Sequence, residues 1–312
     1  MTNASETRFE RLRPQQIWDA LAAFPCTYVP SGPLEWHGRQ NPIGLDFLKA
    51  HALCLRAAAA TGGLVFPPVC LAAQAVPWPL GMPVAQELVQ RNATTVLRYL
   101  ARNGVRAIVW LSGHGGPEDY LEIRRASLAV MHEAEVAIYA VVDQHVISDR
   151  ERSMDHGAAI ETSLMHRLCP ETVELGALDS RPEIAPEGVG GQDPRTHASA
   201  ALGREYADLL VERLAEVARR LVATADPVAR RQHRQCVAQQ VAVDDMVVYS
   251  RASLARAHSV DKFPTHAWVT HYEAYRLGDY AAALQAGTEV IEWARQRTAG
   301  KRPAGTEYER IA

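Results

Sequence analysis

Four short apolar segments alternate with helix-like stretches along the first half of the chain, and this alternation constrains the fold more than any other feature. The predicted strands cover residues 26–29, 64–66, 105–111 and 136–142. Such alternation favours a mostly parallel sheet with helices on both faces, because each crossover has to pass over one face. The sequence therefore predicts an α/β fold of three αβα layers, with functional groups at the carboxyl ends of the strands.

The domain organisation is predicted from a change of character near residue 225. A long helix, predicted for roughly residues 198–224, completes an α/β domain over residues 1–224, which is an ordinary domain size. Residues 225–312 begin with a basic run around Arg230-Arg231 and continue with helical patterning and clustered aromatic residues. We expect them to form a mainly helical C-terminal extension that packs on the core or on a neighbouring subunit.

Three possible metal ligands follow the first predicted strand. Glu35 and His37 are two positions apart, so in an extended segment both side chains point to the same side. Asp46 follows a Gly- and Pro-containing bend and opens an Ala/Leu-rich helix, whose positive N-terminal end favours a carboxylate. Carboxylate and imidazole ligands suit zinc, manganese or iron. Asp46 could also serve only as a first-turn cap, so these three residues alone leave the metal hypothesis open.

Two further segments complete the candidate site. His114 follows the third predicted strand and is flanked by glycines, which let the backbone approach an ion or a substrate closely. His156 and Glu161 are five positions apart at the predicted start of another helix. The five candidate ligands are Glu35, His37, Asp46, His114 and Glu161, enough for two ions with one shared carboxylate. His156 remains for proton transfer.

Three motifs, in this order, make the chain resemble the creatininase family, the hydrolases related to creatinine amidohydrolase. The motifs are Pro30-x-Gly32-x-x-Glu35-x-His37-Gly38 with Gly44-x-Asp46, then Gly113-His114-Gly115-Gly116, then His156-Gly157-Ala158-x-x-Glu161-Thr162-Ser163. The loop over residues 188–194 also matches. The resemblance spans roughly residues 8–224.

The resemblance implies a four-stranded parallel sheet between helices, a two-metal centre and a homohexamer. It implies that Glu35 and His114 hold one ion, that His37 and Glu161 hold the other, and that Asp46 bridges the two. His156 matches the histidine that shuttles protons in the family. The implied cofactors are two divalent ions, with zinc as the first choice and manganese or iron as alternatives.

Several departures from the family pattern argue against creatinine as the substrate. Creatininases proper carry an aromatic residue and a glutamate after the second-motif histidine, where this chain has Gly115 and Gly116. Their Trp-Asp pair before the third-motif histidine is replaced by Ser153-Met154-Asp155. Trp36 stands where many members carry glutamine, and residues 225–312 exceed the usual family length. These differences predict a subgroup with its own substrate.

Further residues near the predicted strand ends are candidates for substrate contact. The loop over residues 67–83 holds five prolines and Trp78, so it could form a wall of the site or only a rigid surface loop. The candidate substrate-binding residues are Trp36, Trp78, Gly115, Gly116, Asp143 and His145. Glu118 and Asp119 are instead expected to interact with the N-terminus of the helix that follows them.

The sequence thus predicts a metal-dependent hydrolase, most simply an amidohydrolase that opens a cyclic amide or cleaves a formamide with metal-activated water. An alternative is a hydrolase of an oxidised cyclitol or keto-sugar, because the resemblance extends to enzymes that open such rings. A third hypothesis is a non-catalytic metal-binding scaffold. The presence of His156 together with all of the ligands argues against the scaffold.

Charge and composition exclude several kinds of partner. A formal net charge of -3 and a pI near 6.5 give no general attraction to nucleic acid or to anionic membranes. No apolar run approaches the roughly 20 residues that span a bilayer. A polar N-terminal segment and five scattered cysteines without a Cys-x-x-Cys pair favour a cytoplasmic location. We expect a small-molecule substrate and a homo-oligomer.

Overall fold

The computed structural model describes residues 6–76, 80–150, 155–254 and 265–298. Within them, the strands are β1 (Cys26–Ser31), β2 (Leu64–Val65), β3 (Ala107–Ser112) and β4 (Ala137–Val142). The α-helices are α1 (Pro14–Ala23), α2 (Leu45–Thr61), α3 (Gln86–Arg102), α4 (Pro117–Glu133), α5 (Asp143–Val146), α6 (Ala159–Leu168), α7 (Pro194–His197), α8 (Ala200–Ala223), α9 (Pro227–Leu254), α10 (Thr265–Leu277) and α11 (Tyr280–Thr298). None of these helices is both long enough and apolar enough to cross a membrane.

All four strands are parallel, and their order across the sheet is β2-β1-β3-β4. β1 and β3 pair from Cys26 opposite Ala107 to Ser31 opposite Ser112. The chain passes from β1 to β2 on one side and then returns to add β3 and β4 on the other side. The carboxyl ends of β1 and β3 therefore flank the topological switch point, which is where parallel α/β sheets bind ligands.

Helices cover both faces of this sheet. Crossovers between parallel strands are right-handed, and the β1-α2-β2 and β3-α4-β4 units advance in opposite directions, so α2 and α4 lie on opposite faces. α8 packs beside α2, and α3 packs beside α4. The predicted α/β fold with a mostly parallel central sheet between two helical layers is confirmed.

Two elements differ from the sequence-based expectation. The sequence predicts no helix between the fourth strand and His156, but residues 143–146 form α5, because Val146 and Ile147 are buried against the core and hold the chain there. α6 begins at Ala159 rather than at His156. The His156 backbone instead pairs with Gly190 in both directions, at 2.8 and 2.7 Å, and this extended pairing is incompatible with a helix.

Among the described residues after position 224, the chain forms α9, α10 and α11, and α9 packs on α4. Arg124 of α4 is fully buried and donates to Asp244 Oδ2 of α9 at 2.5 Å and to the Tyr272 hydroxyl of α10 at 3.1 Å. Tyr275 of α10 stacks on Tyr139 of β4 with the ring centroids 5.2 Å apart. Buried polar and aromatic contacts therefore join the extension to the α/β core.

Two buried histidines at this junction should make it sensitive to acid. Burial lowers the pKa of His233 and of His271 to about 4. The neutral His271 ring has both nitrogens satisfied, since Nδ1 donates to the Ala283 carbonyl at 2.8 Å and Nε2 accepts from the Gln240 amide at 3.1 Å. In the unfolded chain the same rings gain a proton near pH 6.5. The unfolded state then binds more protons, so the free energy of unfolding contributed by these rings should fall as pH decreases from about 6.5 to about 4.

The variant His271→Gln removes one of these two titrating rings and so measures its contribution. Because the amide does not titrate, the variant should lose less stability than the wild type between about pH 7 and pH 4, by up to about 3 kcal/mol. Urea unfolding followed by circular dichroism measures this difference. Burial raises the pKa of Asp244 to about 6, so this carboxyl affects the pH dependence of stability in the opposite direction. Comparing the stability-against-pH slopes of the variant and the wild type cancels its contribution, because both proteins contain Asp244. The exposed His132→Gln serves as the control, and equal slopes for His271→Gln and wild type would contradict the assignment of a neutral His271.

Candidate metal centre

The switch point brings together side chains from four segments of the chain. Glu35 and His37 follow β1, Asp46 lies in the first turn of α2, His114 follows β3, and Glu161 lies in the first turn of α6. All five side chains are buried. The five predicted ligands, which are up to 126 positions apart in the sequence, therefore share one buried site at the carboxyl edge of the sheet.

Glycines make this close approach possible. A Cβ atom at Gly113, after β3, would overlap the Asp46 carbonyl, and one at Gly32, after β1, would overlap the Asp46 side chain. Gly157 has a φ of +58°, and a Cβ there would come within 2.7 Å of the His37 carbonyl. The glycines of the motifs therefore let three loops contact the start of α2 and the His37 backbone directly.

The ligand atoms form two sets that share Asp46. In the first set, His114 Nδ1 lies 2.9 Å from Glu35 Oε2 and 3.4 Å from Asp46 Oδ2. In the second set, His37 Nε2 lies 3.4 Å from Asp46 Oδ1 and 3.7 Å from Glu161 Oε2. Within each set the ligand atoms all lie within 4.8 Å of one another. Each Asp46 oxygen thus faces one set, which is the geometry of a carboxylate placed between two ions.

Unsatisfied acceptors in this site fit a bound cation. In the part of the chain that the structure describes, both Asp46 oxygens and Glu35 Oε2 are buried without a hydrogen-bond partner, and only imidazole rings approach them. A buried carboxylate without compensation is costly. Three carboxylates and two imidazoles are a donor set that suits zinc, manganese or iron, so the residues present fit divalent metal ions.

In the absence of a metal ion, the neighbouring carboxylates shift the pKa values of His37 and His114 strongly. Burial by itself would lower the pKa of His37, but the combined attraction of the Asp46, Glu161 and Glu35 carboxylates outweighs it and raises that pKa to about 9. Burial has the same opposing effect at His114, where the nearby Asp119, Asp46 and Glu35 carboxylates together raise the pKa well above its usual value. A metal ion has to replace these protons, because it binds the neutral ring.

Neighbouring groups orient the two imidazoles. The Glu35 carbonyl lies 3.1 Å from His37 Nδ1 and can accept its proton, so Nε2 is left for an ion. The Asp119 carboxylate lies 3.2 Å from His114 Nε2, so Nδ1 is left on the ligand side. Asp119 also accepts from the backbone amides of Ala73 and Gln74. The expectation that Asp119 serves only the N-terminus of α4 is therefore incomplete, because its side chain reaches back to His114 and to the loop after β2.

Two charged residues near Glu161 were missed by the sequence analysis. Lys49 Nζ lies 2.6 Å from Glu161 Oε1. Asp155 accepts from the backbone amides of Ile160 at 2.6 Å and Glu161 at 3.1 Å, so it stabilises the start of α6. The available signal for Lys49 was a lysine on the otherwise apolar face of α2, three positions after Asp46.

His156 lies beside the ligands with one nitrogen already engaged. Its Nε2 is 2.8 Å from the Trp36 carbonyl, and its ring centroid is 4.3 Å from that of His37. Because a carbonyl can only accept, this contact places a proton on Nε2 of the neutral ring and leaves the lone pair on Nδ1. The Trp36 backbone therefore fixes the orientation and tautomer of His156.

The site opens into a cavity of about 600 Å³. Besides the five candidate ligand residues, the cavity is lined by Ala73, Gln74, Ala75, Val76, Pro83, Gly115, Gly116, Gln144, Asp155 and His156. The loop after β2 therefore forms a wall of the cavity, which is one of the two roles considered for residues 67–83 in the sequence. Val76 also donates to Glu35 Oε1 at 2.6 Å, which ties this wall to a ligand.

Not all of the predicted substrate-binding residues reach this cavity. Gly115 and Gly116 line it, whereas Asp143 is turned toward Lys49 at 2.9 Å and His145 stacks on Tyr272 with centroids 4.5 Å apart. The Trp36 carbonyl accepts a hydrogen bond from His156, but the Trp36 indole packs against Gly188 outside the cavity. The predictions of substrate contact for Asp143, His145 and the Trp36 side chain are therefore not supported by their positions, and Trp78 lies outside the described residues. Gln144, between two of them, lines the cavity because α5 turns its side chain the other way.

Comparisons with solved structures agree with this fold. A structure of creatinine amidohydrolase (creatininase) superimposes with a TM-score of 0.61 at 21% identity and covers 71% of this chain and 100% of its own. A manganese form of creatininase gives a TM-score of 0.62 at 21% identity over 70% of this chain and 100% of its own. At this level of identity the similarity establishes the fold alone.

Comparisons of sequence give the family. The creatinine amidohydrolase of Pseudomonas putida is 28% identical over 225 residues, which cover 62% of this chain and 86% of that protein. The family model of creatininase, described as creatinine amidohydrolase, matches residues 10–218, which is more than half of the chain. The chain therefore belongs to the creatininase family, the metal-dependent hydrolases related to creatinine amidohydrolase.

Proposed function

We propose that the protein is a dinuclear metal-dependent amidohydrolase that opens a cyclic amide or cleaves a formamide. The observation that carries the proposal is Asp46, whose two buried oxygens each face one set of ligand atoms and have no other donor among the described residues. Glu35 and His114 would hold one ion, and His37 and Glu161 the other. Zinc is the first choice, with manganese or iron as alternatives, and solved creatininases with similar folds include manganese and Zn-Zn forms.

Bound ions would supply an activated water as the nucleophile. They would also supply a positive charge that stabilises the oxygen of the attacked amide carbonyl. The chain itself supplies the proton transfer. With Nε2 held by the Trp36 carbonyl, His156 can accept a proton from the attacking water at Nδ1. It can then deliver this proton to the amide nitrogen as the C–N bond breaks. A reaction of this type needs no serine or cysteine nucleophile.

The lining of the cavity supports a substrate other than creatinine. Gly115 and Gly116 line the cavity where creatininases proper carry an aromatic residue and a glutamate, so this chain has no side chain at either position. Gln144 and Asp155 are instead polar residues of the cavity lining. A volume of about 600 Å³ also leaves room for the alternative class, an oxidised cyclitol or keto-sugar ring. The scaffold hypothesis is disfavoured because His156 is oriented beside the ligands without being needed as one of them.

Metal analysis joined to a substrate panel tests the proposal. Protein purified without chelator should hold about two transition-metal ions per chain, and it should hydrolyse a lactam or a formamide faster than creatinine. Keto-cyclitols in the same panel test the alternative class. Fewer than one ion per chain, with no change in metal content for His37→Ala, would overturn the metal-dependent reading. Creatinine turnover that exceeds that of every lactam would show that Gly115 and Gly116 do not set the substrate.

Assembly and location stay predictions. We expect a homo-oligomer, with a hexamer as the state that the family suggests, and a cytoplasmic location. No helix among the described residues could span a membrane, and the overall charge gives no reason to expect nucleic acid as a partner. A small molecule remains the expected substrate.

A further inference from the structure

Lys49 is fully buried and takes no part in the chemistry proposed above. It lies on α2 three positions after Asp46, so both side chains project from the same face of the helix toward the carboxyl edge of the sheet. A buried ammonium group is expensive unless it is paired. Its presence beside the metal centre therefore needs a reason.

Two carboxylates pair with this lysine. Lys49 Nζ lies 2.6 Å from Glu161 Oε1 and 2.9 Å from Asp143 Oδ2, and both carboxylates are buried. Within the described ranges, no other lysine or arginine forms an ion pair with Asp143 or with any of the three ligand carboxylates. Lys49 is thus the fixed positive charge that the fold itself supplies to this site.

The two oxygens of Glu161 have different surroundings as a result. Oε1 is held by Lys49, on the side away from His37. Oε2 accepts from the Gly157 amide at 2.8 Å and lies 3.7 Å from His37 Nε2. One oxygen is therefore anchored to the protein, and the other is directed to the place where the His37-side ion would bind.

We propose that Lys49 is a positioning residue that holds Glu161 as a one-oxygen ligand, through Oε2, for the ion on the His37 side. The inference rests on the proposed two-ion centre and deepens it. Without Lys49 the carboxylate loses the anchor on Oε1 and is free to rotate away from this geometry. The Glu35 and His114 set does not contact Lys49 and should be affected far less.

The variant Lys49→Met tests this inference, because methionine has a similar length and no charge. Isothermal titration of metal-free protein with Zn²⁺ should show that one ion binds more weakly, with its Kd increased by about 10- to 100-fold, as is typical when a residue that orients a ligand is lost. The other ion should keep its Kd within about threefold. Adding Lys49→Met to His37→Ala, which lacks a ligand of the same ion, should cause no further loss at the ion that remains.

A double variant separates positioning from simple charge balance. Lys49→Met with Asp143→Asn removes one positive and one negative charge, so it keeps the net charge of the wild-type site. If Lys49 only neutralised buried carboxylates, this variant would recover both thermal stability and the Kd of the second ion. If Lys49 positions Glu161, the double variant recovers stability while the second ion stays weakly bound. Because the charges balance, this variant should also fold if Lys49→Met alone does not.

The possible outcomes separate the inference from the function on which it rests. Weak binding of one ion in both the single and the double variant supports the inference. Wild-type affinity for both ions in either variant overturns it, while two ions bound to the wild type would leave the proposed function standing. A wild-type protein that binds fewer than two ions would overturn the two-ion centre itself, and the inference with it.

Discussion

Asp46→Asn should remove both metal ions and abolish turnover, which is the largest effect that we expect from one substitution. Asparagine offers one neutral oxygen in place of the two charged ones that face the two ligand sets. Loss of groups that merely orient a ligand costs about 10- to 100-fold, so loss of the shared ligand should reduce turnover at least about 1,000-fold. Metal content measured after dialysis should fall from about two ions per chain to less than one.

A thermal measurement checks the same prediction without a substrate. Ions that bind only the folded state stabilise it, by about 2.7 kcal/mol at a free concentration 100 times Kd. Zinc should therefore raise the melting temperature of the wild type and of Asp208→Asn, an exposed control on α8, but not that of Asp46→Asn. A variant that keeps two ions and the full zinc-dependent shift would contradict the bridging role of Asp46.

His156→Ala should have the opposite combination of effects, with both ions retained and turnover lost. The ring lies beside His37 and donates to the Trp36 carbonyl, but the two ligand sets that share Asp46 are complete without it. Loss of a general acid–base group typically reduces turnover by about 100- to 10,000-fold. The reduction should appear in kcat with the best substrate of the panel, while metal analysis still finds about two ions per chain.

A matched histidine and one alternative role complete this test. His132→Ala, on the exposed side of α4, should keep both turnover and metal content. His156 also lies close enough to Glu35 and His37 to form a third possible ligand group. If His156→Ala loses an ion together with turnover, His156 is a ligand rather than the proton shuttle.

The five candidate ligand residues could be selected from the sequence because their signals are local. Glu35, His37 and His114 each follow a strand, and glycines in the same motifs leave room for the backbone. Parallel strands bring their carboxyl ends to one edge, so three separate motifs in a strand–helix alternation imply one site. Which oxygen faces which histidine could not be predicted, because it depends on how α2 and α6 are rotated against the sheet.

The lining of the cavity could not be predicted to the same extent. Asp143, Gln144 and His145 are consecutive after the fourth strand, and only the two outer residues were predicted to contact the substrate. The fold directs Asp143 to Lys49 and His145 to Tyr272, and it leaves Gln144 in the cavity. The placement of His145 depends on α10, a helix that follows more than 100 residues later in the chain. No local pattern could contain that information.

The sequence by itself determined the fold class, the family and the residues that can act as ligands, since strand–helix alternation and short motifs follow from local chemistry and chain geometry. Only the tertiary structure decided the rest. It placed one oxygen of Asp46 against each ligand set, paired Lys49 with Glu161, and turned Asp119 toward His114. These pairings join residues from different helices and loops, and their energies depend on burial and on distances that exist only once the chain has packed.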